Sequence, residues 1–61
     1  MMSNGDTVRV SLTSGKSAKM VVWDMLDSSV FLCTPTAYEA ALKSGRRPRT
    51  VEYREWAVKP V

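Results

Sequence analysis

The chain opens on an alternation. Val8, Val10 and Leu12 are interleaved with Arg9, Ser11 and Thr13, the period of two that marks a strand with one buried face. The pattern predicts a first strand over 7–13. Ser14-Gly15-Lys16 then supplies a turn in which Gly15 takes the positive φ. A second strand is predicted over 18–25, and there the alternation disappears. Met20-Val21-Val22-Trp23 is apolar at every position, as in a strand covered on both faces. Asp27-Ser28-Ser29 forms a polar turn, and Ser29-Val30-Phe31-Leu32-Cys33 is a third strand, again apolar on both faces.

The period changes after Thr34. Thr36 and Glu39 stand at capping-box spacing, and Pro35 suits the entry turn of a helix. Ala37, Ala40 and Ala41 favour helix, and Ser44-Gly45 fits its C-terminal end. The helix is predicted over 36–44, with Tyr38, Ala41 and Leu42 as its buried stripe. Arg46-Arg47-Pro48-Arg49 connects it to a fourth strand at Thr50-Val51-Glu52-Tyr53. Glu55-Trp56-Ala57 reads as one tight turn. The last short strand runs from Val58 to Val61 and belongs at a sheet edge, because Pro60 donates no backbone hydrogen bond. The fold class that follows is mostly β: a small five-stranded antiparallel barrel, or a strongly bent sheet, with one short helix between strands three and four. Residues 1–6 are read as a flexible polar N-terminus and 7–61 as one small barrel-like domain.

This order resembles the Src-homology-3-type small barrels of bacterial proteins. The likeness is carried by Asp6-Thr7-Val8-Arg9-Val10, by the Ser14-Gly15-Lys16 turn and by the closing Trp56-Ala57-Val58-Lys59-Pro60-Val61. A one-turn helix before the final strand, which that fold commonly has, falls at 54–57. Leu12-Thr13-Ser14-Gly15-Lys16 also looks like the first hairpin of Sm-like barrels. That family begins with a helix, which this chain lacks, and has none inserted at 36–44.

Length limits the core. A chain of 61 residues buries only about 60% of the surface its unfolded form exposes. Such domains often draw on disulfides, metals or self-association. Cys33 is the only cysteine and there is no histidine, so neither a disulfide within the chain nor a zinc set is expected. A single cysteine, no signal-peptide pattern and no long apolar run lead to the expectation of a cytoplasmic protein with no membrane segment.

The net charge of +3 is unevenly distributed. Residues 43–54 hold five basic side chains, Lys43, Arg46, Arg47, Arg49 and Arg54, against one acid, Glu52, a local sum of +4. Guanidinium groups bind phosphate through paired donors, and each neutralised phosphate adds salt-dependent affinity for nucleic acid. The candidate nucleic-acid-binding set is therefore Lys43, Arg46, Arg47, Arg49 and Arg54. Trp56 is the aromatic placed to stack on a base. Trp23, Phe31, Tyr38 and Tyr53 are assigned to the core. The bland reading of the same charges is a solvated loop paired with Glu39, Glu52 or Glu55.

Catalysis finds no support in the residue set. No histidine is present for proton transfer near neutral pH, Asp24 and Asp27 lie at a turn, and Cys33 sits in an apolar strand where burial leaves it inert. No cofactor and no small-molecule substrate is expected. The leading expectation is a non-enzymatic module that contacts nucleic acid or another anionic partner. The rival is a protein-interaction module or homodimer using exposed apolar strand faces. An enzyme subunit completed only on assembly is the third.

Overall fold

The structure is a computed structural model that describes residues 2–61; Met1, part of the N-terminal stretch 1–6, lies outside the described residues. Five strands form one antiparallel sheet: β1 (Thr7–Ser11), β2 (Ser17–Leu26), β3 (Ser29–Cys33), β4 (Val51–Arg54) and β5 (Val58–Pro60). A helix, α1 (Pro35–Ser44), joins β3 to β4, and a single 3₁₀ turn (Glu55–Ala57) joins β4 to β5. The strand order is β4-β3-β2-β1-β5. The barrel alternative is not realised: β4 and β5 are the two edges of an open sheet.

The sheet is nonetheless strongly rolled, and its connections require it. Four inter-strand steps separate β4 from β5, about 19 Å across a flat sheet. The 3₁₀ link advances the chain only about 8 Å from Arg54 to Val58. The two edges must therefore approach each other at the Arg54–Val58 end. Val58 on one edge strand accordingly shares a single core with Val30 and Leu32, and Tyr53 of the other edge strand packs against it. Val8, Val10 and Val22 complete that core, each with 2% exposure or less.

The hairpin between β1 and β2 is closed by Leu12 N–H donating to the Lys16 carbonyl at 2.7 Å, with Gly15 at φ +86°. Between Val22 and Asp24 the β2–β3 register slips by one residue, leaving Trp23 as the extra residue of a bulge. A bulge bends its strand and increases local twist, which is how one ten-residue strand serves both halves of a rolled sheet. Residues 3–6 form a turn in which the Ser3 amide donates to the Asp6 carboxylate. Gly5 N–H bonds the Val22 carbonyl at 2.7 Å, and Met2 packs against the core.

The helix covers part of the sheet's outer face. It packs on β2, where Tyr38 meets Trp23 edge to face at 6.0 Å. Val21 and Cys33, opposite each other in the ladder, are buried, as is Ala41. Two expectations about this helix are corrected. Its N-cap is Thr34, whose Oγ1 accepts from Ala37 N–H at 3.1 Å, and not Thr36. Pro35 sits in the first turn and holds Thr34 extended (φ −70°, ψ 155°), as a residue before proline must be. The buried stripe runs through Ala37, Tyr38 and Ala41, while Leu42 is 62% exposed. Gly45 ends the helix at φ +71°, its N–H on the Ala41 carbonyl.

The assignment of four aromatics to the core is also refined. Trp23, Phe31, Tyr38 and Tyr53 are each half-buried, and the fully buried side chains are Leu32, Cys33 and four valines. Tyr53 packs against the interior cluster, whereas Trp23 and Tyr38 meet each other where the helix lies on β2.

The corrected cap is testable by urea denaturation. Thr34→Ala should cost about 1 kcal/mol of stability. Thr36→Ala, which loses no cap, should stay within about 0.5 kcal/mol of the parent.

Candidate nucleic-acid interface

The six candidate residues fall into two groups at opposite ends of β4. Lys43 occupies the last turn of α1, and Arg46, Arg47 and Arg49 lie on the irregular segment between Gly45 and β4; all four side chains are exposed. Local geometry explains their display. The left-handed Gly45 turns the chain out of the helix, and the Arg46 amide donates to the Ser44 hydroxyl at 3.3 Å. Pro48 fixes φ between Arg47 and Arg49. Lys43 also complements the negative end of the helix dipole, a structural role independent of any ligand.

Arg54 and Trp56 stand at the far end. The strand Val51–Arg54 spans about 10 Å, so Arg54 does not share a loop with the other arginines. Its Nη1 donates to Ser29 Oγ at 3.2 Å, and the Ser29 hydroxyl donates to Glu52 Oε2. Ser29 is directly opposite Arg54 in the β3–β4 ladder, and Glu52 lies two residues back on the same face. Arg54 thus has its counter-charge one hydroxyl away. The other four cations make no such link among the described residues. Trp56, on the 3₁₀ turn, is 74% exposed.

Glu52 was expected only as a counter-charge to the basic residues, and Ser29, read both as the end of a turn and as the start of the third strand, was given no part in the site. The signal lay in the ladder: once Ser29 pairs with Arg54, a short hydroxyl between a cation and a carboxylate is the expected cross-strand arrangement.

Other chemistry is sparse. Among the described residues there is no group of three or more His, Cys, Asp and Glu side chains able to hold a metal ion, and no enclosed pocket. Among the described residues no helix is long and apolar enough to cross a membrane. Asp24 Oδ1 accepts from the Met25 amide, and Asp27 occupies the turn at φ +54°. Cys33 is buried, and its Sγ donates to the Val21 carbonyl at 3.8 Å. Burial pushes its thiol pKa above the ordinary value.

Comparison with protein-family models, curated proteins and solved structures finds no match.

The raised thiol carries a sign for stability. The folded state keeps the proton to higher pH than the unfolded chain does. The stabilising contribution is therefore complete below the unfolded thiol pKa, about 8.5, and is lost as pH rises beyond it. Urea midpoints measured from pH 7 to 10 should fall more steeply for the parent than for Cys33→Ala. Native protein should also react with iodoacetamide far more slowly than urea-unfolded protein.

Proposed function

We propose that this chain is a non-enzymatic binding module whose basic loop, Lys43 with Arg46, Arg47 and Arg49, contacts nucleic acid through its phosphates. The observation that carries the reading is the display of those four exposed cations on one short segment fixed by Gly45 and Pro48. Arg54 and Trp56 form a second, smaller contact at the other end of β4, with Trp56 offering a base-sized aromatic surface. Phosphate contacts of this kind position a ligand without reading its sequence. The module is accordingly expected to bind with marked salt dependence and little base preference.

The strand order, with one 3₁₀ turn between the last two strands, supports the resemblance to Src-homology-3-type barrels. The open sheet and the α1 insertion depart from it. The rival reading, docking through apolar strand faces, has less to draw on. β3 is covered on both faces, and the large apolar side chains left exposed, among them Leu12, Leu26 and Leu42, are spread over three different elements or their ends.

Anisotropy titrations with fluorescent single- and double-stranded nucleic acid, over a range of salt, test the proposal. Binding should weaken as salt rises. For duplex DNA, the slope of log affinity against log salt should shrink by about 0.9 for each phosphate that the Arg46→Ala, Arg47→Ala, Arg49→Ala triple variant no longer neutralises. Salt-insensitive binding, or equal binding by the triple variant, would overturn it.

A further inference from the structure

Three cations far apart in sequence meet on the outer face of the sheet. Val8 and Val10 lie in the core, so Arg9 between them is turned outward. Ala18 and Met20 pack on the same core, which turns Lys19 outward, and buried Val58 does the same for Lys59. Arg9 stands directly opposite Lys19 in the β1–β2 ladder and directly opposite Lys59 in the β1–β5 ladder. Asp6 and Leu12, in the opposite phase of β1, make the main-chain bonds to β2. Arg9 and Lys19 therefore form a non-hydrogen-bonded pair, with Cα atoms about 4.5 Å apart, and Arg9 and Lys59 a bonded pair at about 5.5 Å. Lys59, Arg9 and Lys19 make one row across β5, β1 and β2, and all three are exposed.

Like charges directly opposite in a sheet are destabilising, and the fold does nothing to offset them here. Neither ladder pairs an acidic residue with any other. Asp6, the acid nearest Arg9 in sequence, accepts from the amide and hydroxyl of Ser3. A lysine on an edge strand guards against aggregation, which accounts for Lys59. It does not account for Arg9 and Lys19, whose strands are interior. The rest of this face is hydroxyl-bearing: the Ser11–Ser17 pair flanks the row on one side and Thr7 on the other, all exposed. The paired residues of the two ladders include no aromatic, and the outward ones beside the row include no exposed apolar side chain.

We infer that the Lys59–Arg9–Lys19 row seats the sugar-phosphate backbone of a duplex nucleic acid on this face, with Thr7, Ser11 and Ser17 as neutral donors beside it. Cations and hydroxyls are the side chains that contact phosphate without reading bases. Single strands are held by stacking on aromatics as well as by charge, and this face has none to offer. A duplex keeps its bases inside and carries about one charge per 1.7 Å of axis, so a row about 10 Å long meets more than one phosphate. A second copy is disfavoured at the site itself, since the row would face its own charge. An amphipathic membrane contact requires apolar side chains to enter the bilayer, and this face presents none. The inference rests on nucleic acid being the partner, as in the proposed function, but not on the basic loop being its site.

The test compares an Arg9→Gln, Lys19→Gln, Lys59→Gln variant with the parent and with the triple arginine variant of the basic loop. Each is titrated against a fluorescent DNA duplex and a single strand of the same length over a range of salt. For the duplex, the slope of log affinity against log salt should shrink by about 2 in the glutamine variant, the loss of two to three phosphate contacts. For the single strand it should stay as in the parent. The urea midpoint of the glutamine variant at low salt should equal or exceed that of the parent, because like charges no longer face each other. A lower midpoint would overturn the charge argument. Parent-like duplex binding by the glutamine variant, with loss in the loop variant, would overturn this inference and leave the loop reading standing. Loss in the glutamine variant, with parent-like binding by the loop variant, would support this inference and overturn the loop. Absence of salt-sensitive duplex binding by the parent would overturn both. Tighter binding to phosphatidylserine–phosphatidylcholine vesicles than to duplex, lost in the glutamine variant, would overturn the inference in favour of a membrane surface.

Discussion

Three residues join the opposite edges of a five-stranded sheet, and the rest of the molecule is arranged around that short link. Glu55, Trp56 and Ala57 cannot reach across a flat sheet, so the sheet rolls until Arg54 and Val58 are within their span. Rolling brings Val30, Leu32 and Val58 into one interior, with Tyr53 against it. Five valines and Leu32 fill that interior, and the Trp23–Tyr38 pair lies instead at the contact between the sheet and the helix. The bulge at Trp23 gives β2 the bend this geometry needs, and Trp23 then becomes the outer anchor for α1 through Tyr38. Trp56 belongs to the link itself, and a three-residue turn on the outside of a rolled sheet has no interior to turn toward.

The helix solves a separate problem. A single sheet of this size has an outer face that would leave Val21 and Cys33 in water. The ten residues of α1 cover it, and Ala41, buried at the contact, lets the helix approach closely. At its far end the helix must return the chain to the sheet. Gly45 and Pro48 make that return abrupt, and Arg46 and Arg47 between them, with Lys43 before and Arg49 after, are held out in solvent. The charge cluster is thus a product of how the helix is joined to β4 as much as of composition.

Much of this was legible in the residues. The third strand, the helix, the tight turn before the last strand and the edge position of Pro60 all followed from period and turn chemistry. Thr36 was mistaken for the cap because Thr36 and Glu39 imitate a capping box, while the effect of Pro35 on Thr34 is stronger. Leu42 was assigned to the buried stripe because four-residue spacing from Tyr38 is also that of a packed face. The bulge left no trace, since Val21, Val22 and Trp23 are all apolar and a one-residue slip among them changes no pattern. Whether the sheet closes depends on hydrogen bonds between distant strands, which no local pattern encodes. The arginine cluster was visible as composition. The tie from Arg54 through Ser29 to Glu52 was not, because it exists only once the β3–β4 register is set.

Val8 lies opposite Pro60 in the β1–β5 ladder, so the chain enters and leaves the sheet side by side. Tension applied at the two ends would act across that ladder rather than along it. The strands would peel apart one bonded pair at a time, with no row of bonds sharing the load. The fold is mechanically soft in that direction, however stable it is to heat or urea. The same adjacency means that joining its ends to neighbouring points on another protein's surface would strain neither partner.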